Sequence, residues 1–254
     1  MRRAIAFARR NEKEILRDPL SYVFCLAFPM VMLLAMTLID RSIPAEAGMT
    51  LFRIEKLTGG IAVFGLTFLM LFLTLTAAKD RASSFLIRLY ATPMTAGDFT
   101  AGYLIPVLVI ALLQGAAVSV AGFVISAVEG NPLSPVGLCV MTVSLLPSAL
   151  LFAAFGLLFG TLFSEKAGPG LCSVVISLGS FLGGIWFDAD SVGGVLLKLC
   201  RSLPFYYCVR CARASVVRDF TWDAWGLPLL VTAVSAAVLT TLACLCFSLR
   251  MRKG

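Results

Sequence analysis

The chain contains no histidine among its 254 residues, and only 14% of them are charged. Without imidazole it lacks the usual general base and the usual nitrogen ligand for a metal. No Gly-Lys dipeptide occurs, so the phosphate-cradling GxxxxGK[ST] loop is absent and ATP cannot be held in that way. The HExxH helix of zinc hydrolases and the GxSxG elbow of serine hydrolases are missing as well. An enzyme built from the scattered Asp and Ser that remain is not expected, so we assign no catalytic residue and no metal site. Charge is also missing from the middle of every long apolar run. Ion- and proton-coupled carriers usually place a carboxylate or a base there. If this chain moves a solute uphill, the energy enters from outside it.

Apolar surface is what the chain has in excess. Hydrophobic residues make up 59% of it, against about 45–50% in soluble domains. One compact core cannot hide that surplus, so the bilayer must act as solvent for much of it. A helix needs about 20 apolar residues to cross the hydrocarbon. Six stretches qualify, at 20–39, 57–78, 103–128, 136–163, 171–187 and 225–249. The third and fourth exceed one crossing and should tilt or project. The fifth is short and rich in glycine. We therefore expect an all-α integral membrane protein with a single domain over 1–254. Its parts are an amphipathic interfacial helix over 1–18, six transmembrane helices, and a short re-entrant or amphipathic segment before the sixth.

An even number of crossings puts both termini on one side. Thirteen Lys and Arg fall on that side and eight on the other, with the dense cluster at Arg2, Arg3, Arg9, Arg10, Lys13 and Arg17. Lys and Arg mark the cytoplasmic side, so both termini and the 79–98 loop are expected there, and the 188–221 loop outside. The net charge of +7 follows the flanks of apolar runs. It reads as membrane orientation, and no nucleic-acid partner is expected. Residues 1–17 turn amphipathic at about 100° per residue. Ala4, Ala8, Ile15, Ile5 and Leu16 share one arc, with Phe7 just outside it, and the cations lie opposite. Such a helix should rest on the membrane surface with its basic side toward lipid headgroups. The basic N-terminus is followed by further charges, which is unlike a cleavable signal peptide. Asp18-Pro19 then ends the helix and begins the first crossing.

Between the fifth and sixth runs, Lys198 and Arg201 interrupt an apolar stretch, which fits a segment dipping part way into the outer leaflet. Eight cysteines occur. Most lie in apolar runs as small hydrophobes. Cys208 and Cys211 form a CxxC that lacks the partners of a zinc site, while a disulfide among Cys200, Cys208 and Cys211 stays open. Within the spans, hydroxyl groups and one amide (Gln114, Thr142 and Ser144 among them) are candidates to line a polar path. Ser and Thr in membrane helices also bond back to their own helix. Gln114 is the costliest to bury and leads the path candidates. Pro29, Pro106 and Pro147 should kink or loosen their spans. Gly156 with Gly160, and Gly179 with Gly183, are GxxxG pairs that permit close helix approach, with packing inside the subunit favoured over dimerisation.

Two local patterns resemble the permease subunits of type-2 ATP-binding-cassette (ABC) exporters. One is "RASSFLIRLYATPMTAGDFTAGYL", similar to the family's Arg-Leu-x-x-Thr-Pro stretch, at Arg88, Leu89, Thr92 and Pro93. The other is "LGGIWF…LPFYYCVRCAR", similar to a Leu-x-Gly segment followed by Pro and a later Arg, at Gly183, Gly184, Pro204 and Arg213. Where the family often has acidic residues and a Gly before the Leu, this chain has Lys79, Asp80, Arg81 and Ser83. A Lys that commonly opens the third span is replaced by Gly102-Tyr103. The resemblance implies that the 79–98 loop is a coupling helix docking on a cytoplasmic ABC ATPase subunit, with ATP and Mg bound by that partner and no cofactor on this chain. Its docking residues would be Phe85, Leu86, Arg88, Leu89, Thr92 and Pro93. Phe85, Leu86 and Leu89 share a helical face suited to a groove. Pro93 ends the helix, and Thr95 or Asp98 can cap the next span. A second copy or a sister permease, and the lipid of a bacterial cytoplasmic membrane, complete the implied partners. The cargo would be a drug, lipid, peptide or antibiotic. The alternatives are an ion-coupled secondary carrier and a non-transporting membrane subunit.

Overall fold

The computed structural model of the protein describes residues 2–44, 51–83, 85 and 94–251. Regular structure among these residues is entirely helical. In chain order the helices are α1 (Arg2–Arg17), α2 (Pro19–Ser42), α3 (Ile54–Ala82), α4 (Ala96–Val128), α5 (Pro135–Leu162), α6 (Gly168–Leu182), α7 (Ala189–Val192), α8 (Gly194–Arg201), α9 (Pro204–Val217) and α10 (Trp222–Met251). Five of them, α2, α3, α4, α5 and α10, are long and apolar enough to cross a bilayer. The architecture is that of an all-α integral membrane protein. The 33 residues of α4 and 28 of α5 make rods of about 50 and 42 Å, so both project beyond a hydrocarbon layer of about 30 Å.

Prolines shape two spans at their starts. Val23–Ala27 in α2 and Trp222–Gly226 in α10 adopt the wider π geometry. Each π turn precedes a proline, Pro29 and Pro228. Proline has no N–H, and its ring presses on the carbonyl four residues back. Widening one turn relieves that clash. Pro106 and Pro147 sit inside α4 and α5, which run continuously through them.

α3 is the central pillar, and it packs against α5 along a glycine seam. A Cβ at Gly156 would meet Met70 O at 2.6 Å, and one at Gly160 would meet Ala77 Cβ at 2.6 Å and Thr74 O at 2.8 Å. Thr74 Oγ1 donates to Met70 O of its own helix (2.9 Å) and lies 3.0 Å from Gly156 O across the seam. This pair of glycines is buried inside the subunit. The second pair divides its work: Gly179 lies under the Phe205 ring with ordinary spacing, and Gly183 closes α6.

The fifth crossing departs from a continuous helix. α6 has 15 residues, about 22 Å, and stops at Gly183-Gly184, where Gly184 takes φ +72°. That left-handed geometry suits glycine and halts the helix. The chain still crosses. Cys172 Sγ lies 3.1 Å from Thr74 Oγ1, and Asp188 lies 3.1 Å from Lys56 Nζ. Thr74 and Lys56 are about 27 Å apart along α3, so residues 183–188 finish the passage without helix.

Next, α7 and α8 turn the chain back and α9 dips into the bundle. Phe205 stacks on Phe152 at 5.8 Å, a residue about 25 Å along α5 from Pro135. From there α9 returns to the surface, its backbone pressed on Gly59 and Gly137. Cys200, Cys208 and Cys211 are all free and buried. Cys208 and Cys211 are three apart on one helix, where Cβ atoms stand about 5–6 Å apart, beyond the reach of a disulfide.

Both ends of the chain share one face. Phe247, near the end of α10, packs on Phe99 at the start of α4, with ring centroids 5.3 Å apart. Phe99 also meets Phe7 of α1 at 5.5 Å. We call this the terminal face, and the side carrying Lys56 and Asp188 the opposite face.

Candidate functional site

The terminal face gathers the ends of α3, α4, α5 and α10 near α1. The stripe of α1 turned to the protein is Ala4, Phe7, Ala8 and Asn11, all buried, whereas Ile5 is 51% exposed. Of the arc read from the sequence, Ala4 and Ala8 belong to this stripe, and Phe7 and Asn11 complete it. Gly102 leaves a hollow that the Phe7 ring fills; a Cβ there would meet the ring at 2.3 Å. The ring meets Tyr103 edge-on at 5.0 Å. Asn11 Nδ2 donates to Gly102 O at 3.0 Å. Ile5 is left for lipid.

Arg10 turns inward rather than toward headgroups. Its guanidinium grips Asp80 with two bonds, Nη1 to Oδ2 at 2.7 Å and Nη2 to Oδ1 at 2.9 Å. Tyr103 Oη donates to the same carboxylate at 2.8 Å. Asp80 is only 3% exposed, so its charge is tenable only because these donors replace water. Glu14 stands beside Arg10 at 2.7 Å and Lys79 3.8 Å from Glu14. Three helices, α1, α3 and α4, therefore meet on one buried carboxylate.

Phe85 connects this latch to the loop. The Arg10 guanidinium lies 4.3 Å from the centre of the Phe85 ring, and Phe7 stacks on that ring at 6.5 Å. Such cation–π contacts are worth about 0.5–2 kcal/mol. Leu86, Arg88, Leu89, Thr92 and Pro93 lie outside the described residues. Beyond them, Thr95 caps α4 through a reciprocal box with Asp98. Thr95 Oγ1 accepts from Asp98 N at 3.2 Å, and Thr95 N donates to Asp98 Oδ2 at 3.1 Å. The neighbouring spans are tied in by arginines. Arg81 donates to Thr161 O and Phe163 O, and Arg250 Nη2 to Leu162 O at 3.1 Å. These are the orphan carbonyls at the end of α5, where cations are favoured.

The three path candidates fall at separate places. Gln114 is fully buried in the α3–α4 seam, where Nε2 donates to Ala62 O at 3.0 Å and Oε1 has no partner among the described residues. Thr142 Oγ1 lies 3.0 Å from Ser119 Oγ on an open apolar groove between α4 and α5. Ser144 is buried under Trp225, whose Nε1 donates to Ser144 Oγ (3.3 Å) and Ser215 Oγ (3.0 Å). By contrast, α6 leaves Ser173 and Ser177 exposed beside Val174, Leu178 and Phe181. That face mixes hydroxyls with apolar groups.

On the opposite face Lys56, Asp188, Asp190, Tyr206, Arg210 and Arg213 surround an open polar cavity. Burial works against the charge of Asp188, but Lys56 outweighs it and holds the carboxyl below its usual range. Burial also pulls Arg213 down to about 10, with Asp188 and Asp190 acting the other way. It stays a cation at neutral pH.

Sequence reading missed the first assembly, and of the second it singled out Gly183, Gly184 and Arg213 as a family pattern without bringing them together. A faint signal existed for the first: Asn11 completes the Ala4, Phe7, Ala8 spacing of a buried stripe, where a polar residue needs a fixed partner. The family model described as ABC-2 type transporter matches residues 3–217 of the chain. No curated protein matches it.

Proposed function

This chain belongs to the ABC-2 type transporter family and is therefore the permease component of an ABC transporter, and we propose that it exports its substrate. In this reading the terminal face is cytoplasmic, as its excess of Lys and Arg suggests, in a bacterial cytoplasmic membrane. The 79–98 loop docks on a separate ATPase subunit, which binds ATP and Mg. The observation that carries the reading is the latch. Phe85 of that loop is packed on Arg10 and Phe7, and Arg10 grips Asp80 at the end of α3 while Tyr103 holds it from α4. A push on the loop would move α1, α3 and α4 as one body. The arginine ties would pass the motion to α5 and α10.

Two such subunits, identical or paired with a sister permease, enclose the path. The mixed face of α6, where Ser173 and Ser177 stand exposed beside Val174, Leu178 and Phe181, supports this. The cargo is an amphiphile among drugs, lipids, peptides and antibiotics.

The test is reconstitution with the ATPase in inside-out vesicles. ATP-dependent accumulation of a dye-labelled amphiphile, lost with Phe85→Asp or Leu89→Asp together with ATPase co-purification, is expected. Accumulation driven by a proton gradient without ATPase contradicts it, and so does ATPase retention by both variants.

A further inference from the structure

The cavity on the opposite face is formed by the ends of three elements. Lys56 comes from the first turn of α3, Asp188 and Asp190 from the start of α7, and Tyr206, Arg210 and Arg213 from one face of α9 at helical spacing. Its volume is about 470 Å³, within the range of small-ligand sites. Gly183 and Gly184 line it too, at the break of α6.

The charges in it do not balance. Lys56 pairs with Asp188 at 3.1 Å, and Arg201 at the rim pairs with Asp190 at 3.2 Å. Tyr206 Oη donates to both oxygens of Asp190, at 2.8 and 3.0 Å. Both carboxylates are thereby used. Arg210 gives Nη1 to Tyr206 Oη at 2.9 Å. Arg213 gives Nε to Lys56 O at 3.2 Å and Nη2 to Ile185 O at 3.4 Å. Neither arginine forms an ion pair among the described residues, and each has further N–H donors to place. Arg213 nonetheless carries a desolvation cost for standing there. Two planar forks lining one cavity, with donors left over and the nearby carboxylates already paired elsewhere, form a receptor for phosphate or a similar oxyanion.

The rim indicates what kind of molecule brings the anion. Beside the polar cavity, α7 and α8 expose Val192 (60%), Val195 (84%) and Leu199 (50%). Val195 and Leu199 lie four apart on one side of α8, and Val192 ends α7 just before the Gly193 corner. A ligand with a phosphate in the cavity and an apolar body along these side chains satisfies both.

We propose that this cavity binds the phosphate of an amphiphile of the opposite leaflet, held by Arg210 and Arg213, with its apolar part along Val192, Val195 and Leu199. The site stands on the geometry of this face alone, whatever the direction of transport.

The full-length chain in uncharged detergent micelles is titrated with dihexanoyl phosphatidylglycerol and, separately, with inorganic phosphate, by microscale thermophoresis. Saturable binding of the lipid is expected, weakened about tenfold or more by Arg210→Gln and unchanged by Arg53→Gln on the exposed surface. Among the described residues Arg210 bonds only to Tyr206, so its loss should leave the fold in place, read by an unchanged melting temperature; Arg213→Lys, which keeps charge but removes the fork, should weaken binding too. Inorganic phosphate binding as tightly as the lipid overturns the amphiphile. No saturable binding, or binding that ignores both variants, overturns the site.

Discussion

Replacing Arg10 with leucine tests the latch at its most exposed point. Asp80 would keep only the Tyr103 hydroxyl, at 3% exposure. Breaking a buried ion pair from one side costs about 3–5 kcal/mol. Arg10 is itself 35% exposed, which puts this case at the low end, about 3 kcal/mol. The reverse change should be milder. Asp80→Asn releases an arginine that already reaches water and stands beside Glu14, for about 1 kcal/mol. About 3 kcal/mol is roughly a hundredfold in the docking equilibrium of α1. Hydrogen exchange of α1 amides in detergent reads this directly. Arg10→Leu should lower their protection by that factor, and Arg10→Leu with Asp80→Leu should recover most of it, since no charge is then stranded. Unchanged exchange in the single variant refutes the reasoning. So does a double variant whose cost is the sum of the singles.

Three further outcomes follow from the packing and the charges. Gly156→Ala places a methyl 2.6 Å from Met70 O and should lower the melting temperature by the equivalent of about 1–3 kcal/mol, whereas Gly179→Ala, with 3.5 Å to Phe205, should leave it nearly unchanged. Gly65→Ala drives a Cβ to 2.0 Å from Gln114 Nε2 and 2.9 Å from Pro29 Cγ, and folded yield should be partly rescued when Gln114→Ala removes the closer contact. Asp188 titrates below its usual range when folded, so the Lys56 pair stabilises the chain above about pH 4 and loses its effect as pH falls through the depressed value. An acid melting series should show that loss in the parent chain and lack it in Asp188→Asn.

Hydropathy made the spans legible because membrane helices must satisfy their backbone internally and show apolar side chains to lipid. Residues 57–78 and 103–128 lie inside α3 and α4 for that reason. The break of α6 was harder to see: an apolar run to Phe187 looks the same whether its last turn is helix or a Gly183-Gly184 corner. The part of α1 that packs on the protein could not be separated from the rest of its apolar arc by a wheel, because the hollow at Gly102 that takes Phe7 belongs to another helix. Arg10, Asp80 and Tyr103 stand far apart in sequence, and no local rule joins them. The Thr95–Asp98 cap, by contrast, is a local pattern and could be read directly.

The account rests on the 79–98 bend lying in the cytosol under the ATPase's grip. With the native cysteines replaced by alanine, Leu89→Cys and Ser191→Cys are exposed in turn to a membrane-impermeant maleimide on intact cells. Labelling at position 191 alone, with position 89 protected until the cells are opened and cross-linking there to the ATPase, is the predicted result; labelling of position 89 from outside contradicts it.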